Sequence, residues 1–223
     1  MKLTECKAII FDNDGVLVDS EFIHIAVERE LLAEMGLHYS HETYMTRFVG
    51  TSDEDYRREI GADYERHVGG VFPADFGKKL YDRVWPRIRA ELKPLDGVAL
   101  LVSAFDGKVA VGSSAPLSRL YEKLEITELS KLFEPHIYSA EHVAKGKPEP
   151  DLFLYAADKL SVSPSVCVVV EDSIHGIAAA KAAGMKSIGF IGGRHADEGL
   201  AERLLEAGAN IIVRRHMDIK DLL

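Results

Sequence analysis

The chain of 223 residues has only two cysteines, Cys6 and Cys167. They fit no metal-binding spacing, and two thiols do not make the disulfide framework of a small secreted domain. No apolar run approaches the length that spans a bilayer, and Val166 to Val170 is typical of the strongest. Basic tracts are also missing. Beyond pairs such as Arg57-Arg58 and Arg214-Arg215 no cationic stretch occurs, and the net charge is -9, which argues against a dedicated nucleic-acid binder. There is no internal repeat and no low-complexity tract. Met1 to Lys7 carries charges where a secretion signal has an unbroken apolar stretch, so a cytoplasmic location is expected. No nucleic acid, membrane or protein partner is indicated.

What is present is the composition of a folded chain: 47% hydrophobic and 28% charged residues, enough for one core with a small accessory domain. Apolar runs without polar alternation suit strands covered on both faces. They fall at Lys7–Asp12, Lys108–Gly112, Val166–Val170, Ser187–Ile191 and Asn210–Val213, with a weaker one at His136–Ser139. Helical patterns separate them. Pro116 opens a helix with Leu117, Leu120, Tyr121 and Leu124 inward, and Pro150 opens one with Phe153, Ala156, Ala157 and Leu160 inward. Ser173 caps a helix whose inner face is Ile174, Ile177, Ala178 and Ala182, with Gly184 as its stop. Leu200, Leu204 and Leu205 lead to Gly208 in the same way. This alternation predicts a doubly wound, Rossmann-like α/β fold with a parallel sheet. Residues 18–89 break the alternation and read as helical throughout, with Pro86 a kink or stop. The expected organisation is a discontinuous core, 1–17 and 90–223, with an all-helical domain of 18–89 inserted.

Four strand ends carry the chemistry, at the edge where open parallel sheets bind ligands. After the first strand comes Asp12-Asn13-Asp14-Gly15, whose two carboxylates lie two residues apart and share a direction in an extended chain. Acids this close need a proton or a cation between them; alone, the motif reads equally well as a turn. The second strand ends in Gly112-Ser113-Ser114, with hydroxyls and N–H groups suited to phosphate oxygens. Lys147 precedes a proline-opened helix and can neutralise a phosphate as a point charge. Glu171 and Asp172 close the most apolar strand, and carboxylate oxygens suit magnesium. Together these are the parts of phosphoryl transfer through an aspartyl-phosphate.

At these residues the chain resembles the haloacid dehalogenase-like hydrolases. Asp12 to Ser20 matches the first family motif, Ser113 the second, Lys147 the third and Glu171-Asp172 the fourth. The inserted segment resembles the cap of the beta-phosphoglucomutase-like branch. The resemblance implies Asp12 as nucleophile and Asp14 as general acid/base. It implies Mg2+ held by Asp12, the Asp14 main-chain oxygen and Asp172, with Glu171 a further ligand or an orienting neighbour. Ser113, Ser114 and Lys147 would hold the phosphoryl oxygens of a small phosphorylated metabolite, and Asp19 would support the hinge. His24 and Gly50, the latter in the loop Phe48-Val49-Gly50-Thr51, are expected near the substrate from the cap. Asp14 distinguishes the chain from dehalogenating and phosphonate-cleaving members, which lack an aspartate there. His195 is expected on a solvent-exposed loop, and neither it nor His175 is given a catalytic role.

The expected activity is a magnesium-dependent phosphatase acting on a small phosphate monoester, plausibly a sugar phosphate. A hexose-phosphate mutase shares the chemistry, but mutases of this branch grip a second phosphate with basic residues near the cap loop, where this chain has only Arg47. A phospho-accepting signalling module uses a similar acceptor site, yet lacks the second aspartate and the large insert. A non-catalytic interaction protein on this fold is disfavoured because every expected catalytic position is intact.

Overall fold

The computed structural model describes residues 3, 5–48 and 53–222. The chain forms two compact units, 1–20 with 92–223 and 21–91.

The larger unit is built on six strands: β1 (Ala8–Phe11), β2 (Lys108–Ser113), β3 (Ile137–Ser139), β4 (Cys167–Glu171), β5 (Lys186–Phe190) and β6 (Ile211–Val213). Their order is β3-β2-β1-β4-β5-β6, and all pairings are parallel. β1 is therefore central, and its four residues are fully buried, which explains a run with no polar alternation.

Helices α1 (Ser20–Glu34), α2 (His41–Phe48), α3 (Asp53–His67) and α4 (Phe76–Glu91) come between β1 and β2, followed by α5 (Val98–Ala104). Then come α6 (Leu117–Ile126), α7 (Ser130–Phe133), α8 (Asp151–Leu160), α9 (Ile174–Ala182), α10 (Leu200–Ala207) and α11 (His216–Lys220). Ala8, Ile10, Ala110, Cys167 and Val169 pack under α8 and α9. Phe11 points to the other face and meets Phe133 of α7 edge-on, with ring centroids 5.8 Å apart. The α/β reading of the sequence thus matches the structure, including the weak third strand.

Several helix faces differ from expectation. In α9, Gly176, Ile177, Ala179 and Ala180 are buried, while Ile174 and Ala182 are exposed. Ile177 faces inward as expected, but its buried neighbours are small, so Ile174 does not mark the buried side. In α10, Leu200 and Leu204 are buried but Leu205 is half exposed. In α6, Leu120 and Leu124 are buried together with Lys123, a position the apolar pattern passes over.

The helical unit has its own core of Ile25, Leu31, Leu32, Leu37, Tyr44, Met45, Phe48, Ile60 and Phe76. α4 runs through Pro86 without ending there. Proline removes one backbone donor, but Val84, Trp85 and Ile88 around it are buried, and that packing carries the helix onward. Among the described residues no helix is long and apolar enough to cross a membrane.

Candidate active site

The carboxyl edge of the larger unit gathers the acids and the lysine. The Asp12 N–H donates to the Val170 carbonyl at 2.9 Å, so the residue after β1 is still held by β4. The chain then turns tightly. The N–H groups of Leu17 and Val18 donate to the Asn13 carbonyl, at 2.8 and 3.0 Å, and Gly15 N–H donates to the Val18 carbonyl at 2.8 Å. Gly15 has φ of 78°, and a Cβ there would overlap the Asp172 carboxylate. Glycine is required by both conformation and close approach.

Lys147 reaches in from the loop before α8. Its Nζ lies 2.5 Å from Asp12 Oδ1 and 2.6 Å from Glu171 Oε1, 5.0 Å from the Phe153 ring centroid, with the side chain 4% exposed. Burial opposes its charge, but Asp12 and Glu171 outweigh that and raise its pKa. Glu171 is engaged on both oxygens: Oε1 takes Lys147, and Oε2 accepts from the N–H and hydroxyl of Ser173, each at 2.8 Å. Both Glu171 oxygens are thus occupied by protein donors. Gly176 in the first turn of α9 leaves the room, since a Cβ there would overlap the Glu171 carboxylate.

Burial pushes the Asp12 carboxyl well above the ordinary range, with Glu171, Asp172 and Asp14 adding to the rise and Lys147 opposing it. Asp172 is likewise raised by burial and by Glu171, partly offset by a hydrogen bond to His195. These buried acids repel one another, and one lysine does not balance them. That surplus fits a hard divalent cation bound by the carboxylates of Asp12 and Asp172 with the Asp14 main-chain oxygen and water. Among the described residues no cluster of three or more His, Cys, Asp or Glu side chains is arranged to hold a metal. With Glu171 committed to Lys147 and Ser173, the buried carboxylates left at this edge for a cation are Asp12 and Asp172.

Asp14 is held differently. Its Oδ1 accepts from Lys123 Nζ and from Ser20 Oγ. Burial would raise its pKa, but the Lys123 charge and these hydrogen bonds hold it below the usual carboxylate value. Two acids two residues apart are thus driven in opposite directions, Asp12 toward its protonated form and Asp14 toward the ionised form that can accept a proton. Ser113 ends β2, is buried, and accepts from the Ala115 N–H at 3.1 Å; Ser114 beside it is exposed. Asp19 accepts from Arg194 N at 3.3 Å and Nε at 2.5 Å.

His195 departs from expectation. It is buried, with Nε2 2.9 Å from Asp172 Oδ2. The sequence separates the two by a strand and a helix, so only the parallel adjacency of β4 and β5 reveals the contact. Lys123 also escaped the reading, since a single lysine in a helix carries no distinguishing signal, and Ser20, though inside the Asp12 to Ser20 motif, was given no role of its own.

Within the helical unit, His24 lines a cavity of ≈ 1000 Å³ together with Glu28, Tyr44, Phe48 and Tyr56. Tyr56 donates to Glu28, whose carboxyl is raised by burial. Arg47 pairs with Asp63 at 2.7 Å and Glu59 at 3.6 Å. Gly50 lies outside the described residues.

Comparison with known proteins places this geometry in context. A family model described as haloacid dehalogenase-like hydrolase matches residues 9–190. A phosphorylated carbohydrates phosphatase of Thermotoga maritima is 30% identical over 93% of this chain and 94% of its own. Beta-phosphoglucomutase of Bacillus subtilis is 29% identical over 96% of this chain and 91% of its own. The crystal structure of a conserved haloacid dehalogenase-like protein of Agrobacterium tumefaciens superposes with a TM-score of 0.89. It is 37% identical and covers 97% of both chains.

Proposed function

The chain belongs to the haloacid dehalogenase-like hydrolases, in their beta-phosphoglucomutase-like branch, and from that premise we propose that it is a magnesium-dependent phosphatase of phosphorylated carbohydrates working through an aspartyl-phosphate on Asp12. The observation that carries the reading is the position of Lys147 between Asp12 and Glu171 at the carboxyl edge of the sheet.

In the first half-reaction an Asp12 oxygen bonds to phosphorus as the bond from phosphorus to the leaving alcohol breaks. Asp14, ionised at rest, takes the proton carried by the phosphate monoanion and passes it to the departing oxygen. In the second, Asp14 takes a proton from water as that water attacks phosphorus, and the bond to Asp12 breaks. Lys147 neutralises the phosphoryl oxygens, and the hydroxyl of Ser113 with nearby N–H groups orients them. Asp12, Asp172 and the main-chain oxygen of Asp14 would hold magnesium, which would neutralise charge on the phosphoryl group. Glu171 keeps Lys147 aimed at Asp12.

The carbohydrate assignment is supported by the Thermotoga relative. Hydrolysis is favoured over mutase chemistry by Arg47, which is engaged with Asp63 and Glu59 rather than kept for a second phosphate. The test is inorganic phosphate release from a panel of sugar, hexitol and sugar-acid phosphates, with magnesium or chelator, on wild type and Asp12→Asn. Metal-dependent release that disappears in Asp12→Asn is the expected result. Interconversion of sugar phosphates without release would replace the phosphatase by a mutase, and full activity in Asp12→Asn would remove the aspartyl-phosphate.

A further inference from the structure

We infer that Lys123 is the positioning residue for Asp14, fixing its carboxylate for proton exchange with the leaving group and with water; this rests on the phosphatase reading above. Lys123 lies in the inward face of α6 between Leu120 and Leu124, with its side chain only 6% exposed. A buried ammonium is tolerated only when paired and hydrogen-bonded. Lys123 Nζ donates to Asp14 Oδ1, and Ser20 Oγ donates to the same oxygen.

The two donors come from separate parts of the chain, the middle of α6 and the start of α1. Together they restrict the Asp14 side chain to one rotamer and leave its Oδ2 as the oxygen they do not touch. Asp14 has no strand beyond it to hold it, because the chain turns at Gly15. A proton-transfer group must be held within hydrogen-bond reach of the reacting atom, and Lys123 supplies that hold from a rigid helix. It is distinct from Lys147, which pairs with Asp12 and Glu171.

The test compares wild type with Lys123→Met, which keeps side-chain bulk, and Lys123→Gln, which keeps a hydrogen-bond donor. Two substrates are used, a hexitol phosphate, whose alkoxide must be protonated to leave, and p-nitrophenyl phosphate, whose phenolate leaves without a proton. Thermal melts identify which variants are folded. In folded Lys123→Met, hexitol phosphate turnover should fall about 100-fold, the usual worth of acid/base help, with KM within about twofold. The same variant should give a burst of p-nitrophenolate approaching one equivalent per site, followed by slow turnover, because transfer to Asp12 survives while water activation does not. Lys123→Gln should recover part of the hexitol phosphate rate. Equal losses on both substrates without a burst would reduce Lys123 to a structural role. A raised KM with kcat retained would make it a substrate contact, and wild-type rates on both would remove it from the reaction. If wild type itself releases phosphate from neither substrate with magnesium present, the phosphatase reading falls, and this inference with it.

Discussion

His195 sets its Nε2 2.9 Å from Asp172 Oδ2, so the acid beyond β4 is held from the side by the loop after β5. Outer partners that orient a metal ligand are commonly worth a tenfold or larger change in metal affinity. His195→Ala should therefore weaken magnesium binding about 10-fold, read by calorimetric titration of the protein without substrate. An unchanged dissociation constant would mean that Asp172 keeps its position unaided.

Asp12 should cost the fold stability. Its carboxyl is raised by burial and by Glu171 and Asp172. A raised folded-state value means the native chain holds a proton that the unfolded chain has released. Stability is then complete below the ordinary carboxylate pKa and is lost as pH rises toward the folded value. Asp12→Asn removes that loss and leaves Lys147 paired with Glu171. In chelator at neutral pH the variant should melt at a higher temperature than wild type. A lower melting temperature would show that the Asp12–Lys147 pair outweighs the burial.

His216 gives the fold a dependence on mild acid. It is fully buried against Phe190, with Nδ1 3.1 Å from the Asp96 carbonyl, and burial pushes its pKa from 6.5 down to about 4. Between those values the unfolded chain binds the proton and the folded chain does not, so stability falls as pH drops through this window. The full effect is about 3 kcal/mol at 1.36 kcal/mol per unit. Denaturant titrations from pH 7 to pH 4 should show a steeper loss in wild type than in His216→Phe. Parallel curves would assign the loss to other groups.

Gly176→Ala tests the support of Lys147. The added methyl would overlap the Glu171 carboxylate, so Glu171 must move and Lys147 with it. Activity should fall by at least about tenfold, the scale on which small misplacements of a reacting group are felt, although alanine is the better helix former. An activity equal to wild type would show that Glu171 can shift without disturbing Lys147.

Much of the architecture was legible because buried parallel strands leave continuous apolar runs, and Ala8 to Phe11 is the clearest. The helix faces were less legible. In α9 Ile177 is buried as read, but its buried companions are Gly176, Ala179 and Ala180, whose contribution is closeness and not hydrophobicity, so Ile174 misled. Asp12, Asp14 and Asp172 stood out as polar residues following such runs, and Lys147 as a cation just before a proline-opened helix. Lys123 and His195 did not, because each gains its meaning from a partner distant in sequence. Arg47 was visible as a cation near the cap loop, but its pairing with Asp63 and Glu59 depends on how α2 and α3 pack.

The central place of β1 also governs when the site comes into being during synthesis. β1 is made before both of its neighbours, which start at residues 108 and 167. Until β4 is made, Asp12 has no Val170 carbonyl to hold it, and Lys147 has no Glu171 to steer it. A nascent chain that ends before β4 therefore carries Asp12 without its setting.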